Sequence, residues 1–172
     1  MPKQKDRIEL TALIESVAAI PRNAESVSSA LEQALEAVCE NSPVVFGRAQ
    51  IHTGTAERVD RNSSEIWTSS LPDRRSDPVR RAIESEPQLS TDRAGDSRCR
   101  HMRLAGATVD PVESAARKAG MSSVVYLDIY AEDRPAASLQ LFTDRVLTGS
   151  DGVLQVFGLM VSQLEQVAGR DR

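Results

Sequence analysis

The chain has 172 residues and a mass of 18.7 kDa, the size of one ordinary domain, and its content of 40% hydrophobic and 27% charged residues excludes wholesale disorder. The net charge of −4 argues against a polyanionic partner, and the aromatic content of 3% argues against stacking platforms for bases. We therefore expect no nucleic-acid partner.

Cysteine usage and hydropathy indicate the compartment. The two cysteines, Cys39 and Cys99, are too few for a disulfide framework. The N-terminal segment has no continuous apolar core, and no stretch approaches 18 apolar residues. We expect a cytoplasmic protein with no membrane partner.

The first half of the chain begins with two helical patterns and continues with strands. Apolar residues at spacings of three and four predict a helix over 8–20 that Pro21 ends, and a second helix that Asn23 caps and that stops near 41–43. A β-branched run over 44–53 predicts a strand, and 65–69 is a second, short strand candidate.

The central part is less regular. Asp77 and Pro78 are an N-cap and a first-turn proline for a short helix that runs to Glu84, and 88–91 is a brief strand candidate. The polar segment 92–110 is predicted to be a variable loop. A helix then begins at Asp110 and is closed by Gly120.

The last part has stronger patterns. Two strands are predicted over 121–130 and 136–142 with a hairpin loop between them. Ser150 or Asp151 can cap a terminal helix with a broad apolar face.

This order of elements resembles the GAF family of sensory domains over nearly the whole chain. The segments that carry the resemblance are 10–14, 35–38 leading into 44–53, 77–92, 115–125 and 150–157. The sequence departs from the family where Asp128 stands in place of a common proline, and where Ala136 and Ala137 stand in place of a glycine.

The resemblance implies an α+β fold. A GAF/PAS-like central antiparallel sheet would carry the terminal helices on one face, with short helices and loops roofing the other. The expected organisation is a single domain over 1–172. It has an N-terminal signalling helix (1–22), a helix plus sheet core with its variable loop (23–148) and a C-terminal signalling helix (149–172).

Alternation along the strands sorts the side chains into two faces. One face is aliphatic and should pack on the terminal helices. The other, here called the mixed face, combines rings with hydrogen-bonding groups, the usual lining of a ligand site. We count on it Phe46, Arg48, Gln50, His52, Trp67, Tyr126, Asp128, Tyr130, Ser138, Gln140 and Phe142. In a GAF-like arrangement this face would bind an unidentified small molecule; the alternative is an open, solvated sheet face.

No cofactor is identified. His52 and His101 could ligate haem, but neither matches the part of a GAF strand where a haem ligand is expected. The run from Cys99 to His101 matches the bilin-attaching Cys-His pair only weakly, and its arginines could lower the pKa of the Cys99 thiol and make it a redox sensor. The cyclic-nucleotide signature of the family and the several cysteines of its methionine sulfoxide reductases are absent from the sequence.

The function expected from these patterns is a cytosolic sensory module that binds a small molecule and signals through its terminal helices. Those helices would form a homodimer through the apolar residues Leu10, Leu13, Val17, Phe157, Met160 and Leu164. An output domain or a protein in trans would receive the signal. The alternative is a ligand-free dimerisation or docking module, which an ion pair between Arg48 and Asp128 across adjacent strands would favour. An enzyme is not expected, because no set of acid, base and nucleophile, and no metal cluster, is recognisable.

Overall fold

An antiparallel sheet of five strands forms the centre of the molecule. In chain order the strands are β1 (Val44–Ile51), β2 (Glu65–Ser69), β3 (Cys99–Arg103), β4 (Ser123–Ala131) and β5 (Arg134–Thr143). Across the sheet their order is β2-β1-β5-β4-β3. The computed structural model describes residues 9–52, 65–85, 98–106 and 110–171, and for Glu65 and Trp67 the main chain only.

Helices cover both faces of the sheet. They are α1 (Leu10–Asn23), α2 (Val27–Asn41), α3 (Asp73–Ser85), α4 (Pro111–Lys118) and α5 (Val153–Arg170). The helices α1, α2 and α5 pack on the aliphatic face, whereas α3 and α4 lie on the mixed face. The predicted α+β architecture is confirmed. Among the described residues, no helix combines the length and apolar character needed to cross a membrane.

Local signals explain how two of these helices begin. The Oγ of Ser26 accepts a hydrogen bond from the Ser29 amide at 3.1 Å and so caps α2. The carboxylate of Asp110 accepts from the amides of Val112 and Glu113 at 2.9 and 3.0 Å and caps α4. The predicted start of α4 is therefore confirmed, and Gly120 follows its end with a φ of 88°.

Four predicted helix boundaries are wrong. Neither Ser150 nor Asp151 caps α5, because both lie in a separate 3-10 turn (Gly149–Asp151) and Gly152, with a φ of 74°, is the residue before the helix. Helix α1 continues through Pro21 to Asn23, and the cap of α2 is Ser26 and not Asn23. Helix α3 begins at Asp73, ahead of Pro78, because its first turn closes onto the carbonyl of Pro72. Pro78 is the sixth residue of α3, so it removes the hydrogen bond that an amide at this position would donate to the carbonyl of Arg74, and the helix continues through it.

The prediction that 92–110 is a loop is wrong for part of its length. Residues Cys99–Arg103 form β3, which pairs antiparallel with β4, with Cys99 opposite Leu127 and Arg103 opposite Ser123. An edge strand with polar side chains has no strong sequence pattern, since its strand character depends on pairing with a neighbour. The strand candidate 88–91 lies outside the described residues.

The main core lies between the aliphatic face and the three helices on it. Helices α1 and α5 run parallel there. A methyl group of Leu10 lies 3.1 Å from where a Cβ on Gly152 would stand, and at the other end Arg170 donates to the carbonyl of Pro21. The starts of the two helices are therefore side by side, and so are their ends.

The side chains predicted to form a dimer interface are part of this core. Leu13, Val17, Phe157, Met160 and Leu164 are at most 2% exposed, and Leu10 packs against them from the edge. These residues stabilise the single chain and have almost no exposed surface to offer to a second copy. A dimer through the terminal helices stays a prediction, and it would need other side chains, such as the exposed Ile14 of α1 and Leu159 of α5.

Candidate functional site

The mixed face is half apolar and half polar. Its apolar half is a second, smaller core, in which the rings of Phe46 and Phe142 lie 6.2 Å apart. Side chains of α3 and α4, among them Ile83 and Val112, cover these rings. This apolar half fixes the two helices above the sheet and leaves the polar half to carry any specific chemistry.

A continuous hydrogen-bonded row, here called the buried row, crosses the polar half. It consists of Arg48 on β1, Gln140 on β5, Tyr126 on β4 and Glu113 on α4. The Nε of Arg48 donates to Oε1 of Gln140 at 2.8 Å, and Nε2 of Gln140 donates to the Tyr126 hydroxyl at 3.0 Å. That hydroxyl donates to the Glu113 carboxylate. Strand register produces the row, because Arg48 and Tyr126 both lie opposite Gln140.

Burial makes the buried row energetically unusual. Arg48 is 2% exposed and Glu113 is 6% exposed, so a cation and a carboxyl group are both removed from water. Such burial is costly unless each group is hydrogen-bonded, and removal of one member leaves the others unsatisfied. The row therefore ties the position of α4 to three strands of the sheet.

Sequence reasoning identified three members of the buried row and missed Glu113. Acidic residues are common in the exposed first turn of a helix, so an acidic residue at the third position of α4 gave no indication that it belongs to a site. One signal could have found it: Glu113 lies three residues before Ala116, so both are on the inner side of α4, where the structure places them.

A second row, here called the half-buried row, runs parallel to the first and nearer the β4–β5 hairpin. It consists of His52 just after β1, Ser138 on β5, Asp128 on β4 and Arg100 on β3. The Ser138 hydroxyl donates to Asp128 at 3.1 Å and lies 2.9 Å from Nε2 of His52. Arg100 pairs with Asp128 at 3.6 Å. Since the one hydroxyl proton of Ser138 goes to Asp128, Nε2 of His52 carries the proton that Ser138 accepts.

Electrostatics in the half-buried row keep the imidazole neutral. Burial lowers the pKa of His52, and the nearby Asp128 carboxylate opposes this only in part. The Arg48–Asp128 ion pair considered from the sequence is wrong, because β5 separates β1 from β4. Arg48 bonds to Gln140 instead, and Asp128 bonds to Ser138 and Arg100.

The architecture that holds these rows matches several solved structures. A phycoerythrobilin-bound GAF domain from a cyanobacterial phytochrome aligns at a TM-score of 0.54 and 11% identity, covering 94% of this chain and 95% of that chain. The GAF domain of A. aeolicus nlh2 aligns at a TM-score of 0.52 and 8% identity, covering 92% of this chain and 96% of that chain. The chain has a GAF-like fold.

The same GAF-like architecture is shared with a protein of another kind. CepR2 of Burkholderia cenocepacia, an N-acylhomoserine lactone dependent LuxR-family transcription factor, aligns at a TM-score of 0.56 and 11% identity, covering 94% of this chain and 96% of that chain. No protein-family model matches the sequence, and no curated protein matches it either. Identities this low establish the fold alone.

Tyr130, the last ring on β4, belongs to a separate contact within the GAF-like fold. The Arg98 guanidinium lies 5.3 Å from the centre of its ring and also bonds both carboxylate oxygens of Glu165 on α5, at 2.5 and 2.6 Å. Glu165 accepts a further hydrogen bond from the Tyr130 amide at 3.2 Å. The structure thus connects Tyr130 to α5. Of the other polar residues in the predicted site, all belong to one of the two rows except Gln50 and Trp67.

The remaining candidates are placed as follows. Gln50 is buried on β1, where it lies in the sequence between Arg48 of the buried row and His52 of the half-buried row. Trp67 on β2 lies opposite Arg48, and its side chain is outside the described part of the structure. Cys99 is half-buried, and burial raises the pKa of its thiol. The shift of the Cys99 pKa is therefore opposite to the lowering that the neighbouring arginines led us to expect. Within the described part of the chain, no cluster of three or more His, Cys, Asp or Glu residues could hold a metal ion.

Proposed function

We propose that this GAF-like chain is a sensory or regulatory module in which a small molecule binds on the polar half of the mixed face. The buried row is the observation that carries the proposal. Evolution of a purely structural sheet face would be expected to favour apolar residues at such sites, since a buried cation and carboxyl are a poor source of stability. A preformed set of polar groups beside aromatic rings is typical of small-molecule sites.

Similar proteins support the same function. Among the solved structures of this fold, one GAF domain is described as bound to phycoerythrobilin, and the LuxR-family factor CepR2 is described as dependent on an N-acylhomoserine lactone. Both descriptions name a small organic molecule for a protein that shares this architecture. The ligand of this chain is not specified by either.

Signal output would pass through the contacts that the mixed face makes with the helices. A ligand that engages Tyr126 or Asp128 would act on α4 through Glu113, or on β3 through Arg100. Arg98, the residue just before β3, holds α5 through Glu165. Such a ligand can shift the position of α5 only if it binds one arrangement of these contacts more tightly than the other.

Tyr126→Phe tests the proposal, with Tyr130→Phe as its matched control. Tyr126→Phe removes the hydroxyl that joins Gln140 to Glu113, while the Tyr130 hydroxyl makes no hydrogen bond to a described residue. Native mass spectrometry of freshly purified protein should show a non-covalent adduct in wild type and in Tyr130→Phe. Its occupancy should be about tenfold lower in Tyr126→Phe, since the loss of a buried hydrogen-bond partner weakens binding on this scale.

Equal occupancy in the two tyrosine variants would contradict binding at the buried row. Absence of any adduct from wild-type protein would instead favour the second candidate, a ligand-free docking module. One observation supports that alternative: the side chains of both rows already bond to each other within the chain. A polar face satisfied in this way needs no ligand in order to be stable.

A further inference from the structure

A groove lies between α3 and α4 on the side that faces away from the sheet. Its volume is about 580 Å³, and its lining residues alternate with those that the same helices bury. Thus Pro78 lines the groove while the neighbouring Val79 packs on the mixed face, and Ala115 and Ala119 line the groove and also pack against the edge of the smaller core. The groove is separate from the site proposed above, and its ligand would be a different one.

The charged residues that line this groove are all cations: Arg74 and Arg75 from α3, and Lys118 from α4. None of the described residues on its walls is acidic, although the whole chain carries a net charge of −4. Neither Arg74 nor Lys118 forms an ion pair with any residue that the structure describes. The groove is therefore a local concentration of positive charge on an acidic protein.

Arg75 is held in position by the end of α4. Its Nε and Nη2 both donate to the carbonyl oxygen of Ala119, at 3.0 and 2.8 Å. Its Nη1 donates to no described residue, so one edge of the guanidinium remains available at the groove. A side chain that is already ordered loses little conformational entropy when it binds a ligand.

We propose that this groove binds the phosphate group of a small phosphorylated molecule. Three cations on one cavity match a multiply charged anion better than a single carboxylate, and arginine donors suit phosphate oxygens. The volume falls within the range of small-molecule sites, about 300–1,000 Å³. Ser114, two prolines and two alanines complete the walls, and the prolines and alanines would contact the organic part of such a ligand.

Isothermal titration calorimetry at constant ionic strength tests the proposal, with inorganic phosphate and pyrophosphate as probes. Wild-type protein should bind pyrophosphate saturably at one site, and phosphate more weakly. The double variant Arg74→Gln/Lys118→Gln should weaken pyrophosphate binding about tenfold or more, because two charge-assisted contacts are lost. Arg75 is left unchanged, since it also caps α4.

The matched control is Arg81→Gln/Arg117→Gln. It removes the same charge from the same two helices at exposed positions outside the groove, and it should leave the affinity within about twofold of wild type, because screened surface charges act weakly at a distance. Two results would overturn the proposal. One is the absence of saturable binding of either probe to wild-type protein, and the other is equal weakening in both double variants, which would mean only a general charge effect.

Discussion

Gly47 is the position at which α2 comes closest to the sheet. A Cβ on this residue would lie 2.7 Å from Cδ2 of Leu35 on α2 and 3.2 Å from Cδ2 of Leu141 on β5. Glycine is therefore required here by the close approach of two layers and not by the main-chain conformation. All three residues are buried in the main core, where neighbours have little freedom to move.

Gly47→Ala should destabilise the fold. Overpacking of a filled core costs about 1–3 kcal/mol, and the free energy of unfolding from urea denaturation measures it. The control is Gly158→Ala on α5, where no atom lies within 4 Å of the new methyl group. That variant should be about 0.5–1 kcal/mol more stable than wild type, because alanine has the higher helix propensity. Similar effects of the two substitutions would contradict the packing argument.

At the scale of elements, Glu165 adds a polar link between α5 and the sheet to the apolar packing of the main core. It accepts from the Tyr130 amide and from Arg98, and these two contacts differ in nature. The ion pair is partly exposed, with Arg98 at 50% side-chain exposure, and such pairs contribute about 0–1 kcal/mol. The bond to Tyr130 engages a main-chain donor beside a register shift in the β4–β5 pair.

Glu165→Ala should therefore cost more stability than Arg98→Ala. The expected losses are about 1–2 kcal/mol for Glu165→Ala, since it removes the carboxylate that accepts from a main-chain donor, and about 0–1 kcal/mol for Arg98→Ala. Hydrogen exchange measured by NMR separates the two effects, because the Tyr130 amide should exchange faster only in Glu165→Ala. Equal exchange in both variants would mean that the ion pair, and not the main-chain contact, holds α5.

How well each element could be predicted from the sequence depended on where its signal lies. Helix α4 was predictable because Asp110 and Gly120 mark its ends locally. The mixed face was predictable because alternation needs only the strand itself. Strand β3 was not, since its residues Cys99–Arg103 become a strand by pairing with β4. Glu113 joined the site through the docking of α4 onto the sheet, a tertiary contact that no local pattern encodes.

At the scale of the whole molecule, the two histidines determine how stability depends on pH near neutrality. Burial lowers the pKa of His52 and of His101, and Arg103 lowers that of His101 further, both from 6.5. In the unfolded chain both therefore bind protons at a higher pH than in the folded chain, so stability decreases as the pH falls below about 6.5. The pKa of Asp151 is lowered from 3.8, chiefly by a hydrogen bond from the Thr148 amide, so this residue affects stability only at more acidic pH.

Urea denaturation at pH 7.5 and pH 5.5 checks this dependence. The midpoint for wild type should be lower at pH 5.5, and His52→Gln should reduce the difference between the two pH values. Glutamine is chosen because its amide can still donate to Ser138, which keeps the neutral hydrogen bond without the titration. A midpoint that is unchanged or higher at pH 5.5 would show that these histidines are not held neutral by the fold.

The parallel arrangement of α1 and α5 also has a mechanical consequence. Because the two helices start together and end together, a pull on the start of α1 against the end of α5 acts along their shared interface. The load is then a shear that all the side-by-side contacts resist at once, and not a peeling that breaks them one after another. A domain tethered at these two points would transmit tension directly through the interface between its two parallel helices.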